Sequence, residues 1–272
     1  MTGPKSGELS GCIHMVERQM LLHEERNKLA RDSHAEIITG PYRFITISRD
    51  IGALGDIAAA ELAKHLQWQV YDKEIVDHIA NDSHVRQNLV RQMDEKAQNL
   101  IHDTVDRLLR MFEGSAFGNE EYHVALLRSL ATLAARGGLI ILGHGGAFAL
   151  QGQPGLHLRV TASLALRVER LSKRWRLSLE ETRRRVLQTD ADRREFIRYH
   201  FKSDTDDARF FNVVFNTDLV TVDQIVTATL GLLKPICDTK SARTEPPGFD
   251  GIVFQSSEDL PRNGLQAEPI RF

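Results

Sequence analysis

The side chains best suited to chemistry in this chain are arginines, set among glycines and a few carboxylates. Residues 44–63 read "FITISRDIGALGDIAAAELA": a β-rich apolar run, a loop carrying Gly52 and Gly55, then a helical stretch. That order is the layout of a phosphate-binding loop, in which backbone N–H groups at a helix N-terminus wrap an anion. The loop lacks the lysine and the Ser/Thr that usually neutralise phosphate charge and bind magnesium. Arg49 is the nearest substitute cation, since a guanidinium can grip phosphate oxygens in a bidentate way. Asp72 and Lys73 follow a second short apolar run, and "GHGG" at 143–146 follows a third. Asp190, Arg193, Arg194 and Arg198 lie in a basic stretch. Clustered arginines of that kind fit an anionic ligand.

The elements that would hold these residues alternate in type. Strands are expected from Phe44, at 68–71, 138–143, 156–160 and 211–218, and "GLIILG" reads as a strand buried on both faces. Residues 56–66 form an amphipathic helix through Ile57, Leu62 and Leu66. Residues 73–135 are mostly helical, with a break at 113–120. Leu164, Val168, Leu171 and Trp175 mark one face of a helix over 164–175, with Arg167, Arg170 and Arg174 in a parallel stripe. Ser178 and Glu181 predict a capping box opening the next helix, and Thr221 with Gln224 predicts another at 222–233. Apolar strands alternating with helices imply an α/β fold with a parallel sheet. Ligands then bind beyond the carboxyl ends of the strands, which brings the 48–55 loop, the Asp72 turn and the 143–146 loop to one edge.

Composition narrows the function. The chain has 272 residues, 42% of them hydrophobic and 26% charged, the profile of an ordinary soluble globular protein. It has no apolar run near the roughly 18–20 residues that span a bilayer, and no membrane association is expected. The start of the chain is unlike a secretory signal, and the two cysteines, Cys12 and Cys237, suit a reducing cytoplasm. A net charge of −2 argues against nucleic acid as a partner. Between Arg159 and Lys202, however, 13 Lys/Arg face only 6 Asp/Glu. Such a segment fits either an anionic small-molecule site or a solvated helix surface. Residues 1–40 read as an N-terminal helical extension, with a helix over 12–31 that offers a surface for a protein partner or self-association. Residues 236–272 read as a disordered tail. No metal-ligand cluster is apparent in the sequence.

The motifs "ITISRDIGALGDIAAAELAKHL", "YDKEIVDHIA", "ILGHGGAFAL", "LRVTASLALRVERL" and "TDADRREFIRYHF", in that order, resemble the cytidylate kinase-like family of nucleoside monophosphate kinases. The resemblance covers roughly residues 43–235. It implies a three-layer P-loop kinase fold with a five-stranded parallel sheet within residues 41–235. It also implies a helical monophosphate-binding insertion at about 73–135 and a mobile arginine-rich lid at about 174–203.

The resemblance also implies roles. Ser48, Arg49, Gly52, Ala53, Leu54, Gly55 and Asp56 would form a degenerate Walker A loop. Arg49 stands at its first glycine, Gly55 at its lysine and Asp56 at its hydroxyl. The loop either keeps its phosphate-binding concavity or is a vestigial turn. Asp56 either becomes a magnesium ligand or complements the helix dipole. Asp72 and Lys73 would lie on the monophosphate side, although Asp72 serves equally as a helix N-cap. Gly143, His144 and Gly145 replace a Gly-Arg-Asp stretch, giving a weakened or pH-dependent contact, or else a plain tight turn. In the lid, Arg193 and Arg198 would contact the moving phosphate, with Asp190 orienting Arg193 or touching nucleotide. The expected activity is transfer of the ATP γ-phosphoryl group, with Mg2+, to CMP or dCMP. The degenerate loop points instead to a pseudokinase acting through partners. A non-nucleotide acceptor is a third reading.

Overall fold

Five short apolar runs become strands because each alternates with a helix that covers its face. The computed structural model describes residues 41–91, 93, 95–111 and 121–234. The expected helix at 12–31, the break at 113–120 and the tail at 236–272 lie outside the described residues. In chain order the elements are β1 (Phe44–Arg49), α1 (Gly55–Leu66), β2 (Gln69–Tyr71), α2 (Lys73–Asn81), α3 (Ser83–Arg91), α4 (Glu95–Met111) and α5 (Glu121–Arg136). They continue with β3 (Leu139–Leu142), α6 (Gly146–Ala149), β4 (Gly155–Thr161), α7 (Leu164–Trp175), α8 (Leu179–Phe201), a 3-10 turn (Ala208–Phe210), β5 (Val213–Asn216) and α9 (Val222–Leu233).

All strand pairs are parallel, in the order β2-β3-β1-β4-β5. β1 lies at the centre, with Ile45 opposite Ile140 on one side and Leu156 on the other. Its alternate residues feed two cores. Phe44 packs with Leu126, Leu130 and Phe148 on one face, and Ile45 and Ile47 pack with Ala58, Leu62 and Ile225 on the other. Central strands buried on both faces explain why "LIIL" carries no polar alternation. β5 is an edge strand and shorter than expected, with alternate residues turned outward.

Two local expectations change. Ile57 is exposed, and α1 instead buries Gly55, Ala58, Ala59 and Leu62. Its contact face is the small-residue stripe that lets the helix approach the sheet closely. At the start of α8, Ser178 accepts from the Glu181 N–H at 3.2 Å, but the reciprocal half of the box is missing. The Glu181 carboxylate binds Arg185 at 2.7 Å instead. At α9 both halves form between Thr221 and Gln224. Among the described residues, no helix is long and apolar enough to cross a membrane.

Candidate functional site

The carboxyl ends of β1 and β3 open into a cavity of about 350 Å³, roofed by α8. β1 delivers Ser48 and Arg49, the turn after β3 delivers Gly143, His144 and Gly145, the start of α2 delivers Lys73, and α8 delivers Arg193. These seven expected residues come together because the sheet is parallel and every strand ends at the same edge.

Arg49 defines the site. Its stem lies against Gly55, where a Cβ would stand 2.7 Å from the Arg49 Cβ. Its guanidinium lies over Gly143, where a side chain would run into Nη1. Gly143 has φ 83°, so glycine there answers both the turn and the arginine. The guanidinium makes no hydrogen bond or ion pair with the described residues. Burial, then the neighbouring Arg193, lowers its pKa to about 10. Two cations thus stand together in a partly buried cavity, and among the described residues no carboxylate pairs with the Arg49 guanidinium.

Arg193 donates to the Arg49 carbonyl at 3.1 Å, which ties α8 to the end of β1. Burial also lowers the Arg193 pKa, opposed by Asp190, Asp50 and Asp56. The Phe196 ring lies beside His144, 5.4 Å between centroids, and lines the cavity with Phe148 and Ile197. Arg159 of β4 also reaches the cavity, held by Asp50 at 2.9 Å and by Asp206.

Gly52, Ala53, Leu54, Gly55 and Asp56 do not line the cavity. Leu54, the N-cap of α1, has a left-handed backbone (φ 65°) and offers no side-chain cap, so the first-turn N–H groups gain no capping partner from it. The loop is held from outside by arginines. Arg167 donates to the Ile51 carbonyl at 3.2 Å, and Arg170 to the Gly52 carbonyl at 3.4 Å. Arg170 also binds Thr217 twice, and Arg174 binds Asp56 at 3.2 Å in an exposed pair.

Asp190 sits on that clamp and not in the cavity. One carboxylate oxygen accepts from Arg167 at 2.6 Å and the other from the Ile51 N–H at 3.3 Å. Its hydrogen-bonded arginine is therefore Arg167 rather than Arg193. Asp72 is the N-cap of α2, accepting from the Ile75 N–H at 3.2 Å. Arg198 is exposed and does not line the cavity. Five residues along a helix turn it about 140° away from Arg193.

Several residues of the cavity, and two behind His144, escaped the sequence reading. Arg159 had a visible signal, a charge inside the strand "LHLRV". Thr189, Asp192, Phe196 and Ile197 follow from Arg193 once α8 is known to be one helix. Asp77 and Tyr122 had no signal, because tertiary packing brings them to His144. The His144 Nε2 lies 2.6 Å from Asp77 Oδ1, and the Tyr122 hydroxyl donates to the same oxygen at 2.6 Å. Burial favours neutral Asp77, but the hydrogen bonds from His144 and Tyr122 outweigh it and hold its carboxyl below the usual range. Burial and the Asp77 carboxylate push the Tyr122 hydroxyl up, so it stays a donor.

Residues 44–219 match the model of the cytidylate kinase-like family. No match is found among the curated proteins. Among solved structures, the chain is similar to an uncharacterized protein from Eubacterium ventriosum, with 18% identity, a TM-score of 0.47, and coverage of 70% of this chain and 97% of that one. It is also similar to a shikimate kinase from Acinetobacter baumannii in complex with shikimate, with 14% identity, a TM-score of 0.37, and coverage of 71% and 93%. A third is TT1252 from Thermus thermophilus, with 22% identity, a TM-score of 0.34, and coverage of 70% and 97%.

Proposed function

Because the chain belongs to the cytidylate kinase-like family, we propose that it transfers the γ-phosphoryl group of ATP to a small acceptor held in the cavity, a nucleoside monophosphate such as CMP or dCMP. The observation that carries this reading is the unpaired Arg49 guanidinium beside Arg193. A buried guanidinium without an anion is unfavourable by itself. It becomes favourable when phosphate oxygens arrive, and Arg49 then does the work of the absent lysine.

The residues fit the phosphates of a nucleotide. The uncapped first turn of α1 offers N–H donors to an anion, and Arg49 adds the charge. They fit a protein-held magnesium ion less well. Asp56 is the loop's candidate ligand, and its carboxylate is bound to Arg174. Any magnesium ion would come with the nucleotide, as is usual for this ion.

In this reading Arg49 and Arg193 flank the phosphoryl group while an acceptor oxygen bonds to phosphorus and the bond to the ADP oxygen breaks. They stabilise charge on the equatorial oxygens. Lys73 and the 143–145 turn hold the acceptor phosphate, and Phe148, Phe196 and Ile197 supply an apolar wall that excludes water. Asp190 is a positioning residue, keeping Arg167 and the loop in place from outside.

The test is ADP release from ATP in the presence of CMP. Arg193→Ala should lower kcat by about tenfold or more. An unchanged rate removes Arg193 from the transition state, and no CMP-dependent release from the wild type removes the acceptor assignment.

A further inference from the structure

His144 stands where a permanent positive charge is expected, and its surroundings say how it can still meet an anion. Its backbone is left-handed (φ 56°) in the turn after β3, its ring lines the cavity, and its side chain is 4% exposed. Nε2 is committed to Asp77. Nδ1 has no partner among the described residues. With the proton on Nε2, neutral His144 presents the lone pair of Nδ1 to the cavity and repels phosphate oxygens. The imidazolium presents an N–H at Nδ1, and the Asp77 carboxylate balances its charge.

We infer that His144, backed by Asp77 and Tyr122, is a proton-coupled reader of the acceptor's phosphomonoester group, taking up one proton as that group binds. This rests on the proposed phosphoryl transfer for its biological meaning, but not for its test. Asp77 from α2 and Tyr122 from α5 touch His144, and Lys73 from α2, Arg49 from β1, and Asp192 and Arg193 from α8 line the same cavity. Arg159 across the cavity is neutralised by Asp50 and Asp206. Around His144 the cations Lys73, Arg49 and Arg193 oppose an added positive charge, and the carboxylates Asp77 and Asp192 favour it. A phosphate dianion adds negative charge in the cavity, so proton and ligand enter together. Asp77 and Tyr122 are positioning residues: they fix which ring nitrogen faces the cavity.

The experiment is calorimetry with CMP and with methyl phosphate at pH 7.5, in two buffers of different ionisation enthalpy. Phosphomonoesters lose their second proton near pH 6, so the free ligand is already a dianion at that pH. The wild type should take up close to one proton per ligand bound. Its KM for CMP should rise with pH, by up to about tenfold per pH unit, with kcat little changed. His144→Asn suits the left-handed backbone and keeps a neutral donor. It should bind more weakly, without proton uptake and with a KM that does not rise with pH. Tyr122→Phe, the milder variant should Asp77→Asn fail to fold, should reduce the uptake.

Binding of either ligand to the wild type without proton uptake overturns the inference, as does uptake that persists in His144→Asn. A kcat that rises with pH and falls in His144→Asn would make His144 a base for a hydroxyl acceptor and also overturns it. Methyl phosphate binding with uptake while CMP fails to bind would keep the inference and discard the nucleotide acceptor. Failure of both ligands to bind discards both.

Discussion

Two groups of arginines meet at the end of β1 and differ in what they touch. Arg167, Arg170 and Arg174 are matched with carboxylates, carbonyls and a hydroxyl of the protein. Arg49 has no partner among the described residues, and Arg193 has one backbone carbonyl. Charge density does not separate them: Arg193 lies in a stretch as charged as that of Arg167, Arg170 and Arg174, whereas Arg49 ends an apolar strand. Pairing does. The first group fixes the shape of the 50–56 loop from outside, and the second leaves positive charge facing an open cavity.

Variants can break or sharpen this division. The largest effect should come from Asp190→Ala, which leaves the Arg167 guanidinium buried and unbalanced. A loss of about 3–5 kcal/mol of stability is expected in urea melts. A loss well under 1 kcal/mol would show that the clamp is ornamental. Arg49→Met should behave in the opposite sense. It removes a buried unpaired charge, so the ligand-free protein should melt at a higher temperature, while kcat falls by about 100-fold. If activity survives, the unpaired group is not the working one.

Gly55→Lys restores the residue type usual for such a loop, yet it should not restore function. Its Cβ would collide with the Arg49 stem, an overpacking of about 1–3 kcal/mol. Combining it with Arg49→Gly should relieve the clash and recover activity lost by Arg49→Gly alone. Equal stability of Gly55→Lys and wild type would show that the two positions are independent. The smallest effect is expected for Arg174→Ala. The pair with Asp56 is exposed, and its loss should change stability by less than about 1 kcal/mol.

Most of the fold was legible in the sequence because strands in a parallel sheet are apolar runs and helix starts carry their own caps. Thr221 and Gln224 announced α9 correctly. Ile57 misled because periodicity assigns the large apolar residue to the buried face, whereas close helix–sheet packing selects alanine and glycine. The site was legible in part. Strand ends fixed where Arg49, Lys73 and the 143–145 turn would meet. Arg198 was placed in the site from the resemblance alone, and helix geometry turns it outward. Asp77 and Tyr122 reach His144 across 67 and 22 residues of chain, and no local pattern encodes such a contact. Arg49 was legible as a candidate cation, but the packing of its stem against Gly55 was equally hidden, since no local pattern encodes it.

The most direct measurement is a crystal structure with a non-hydrolysable ATP analogue and CMP. The account predicts phosphate oxygens within hydrogen-bonding distance of both the Arg49 and Arg193 guanidinium groups, with the Arg167–Asp190 pair intact. Phosphates bound elsewhere, with Arg49 still unpartnered over Gly143, would contradict it.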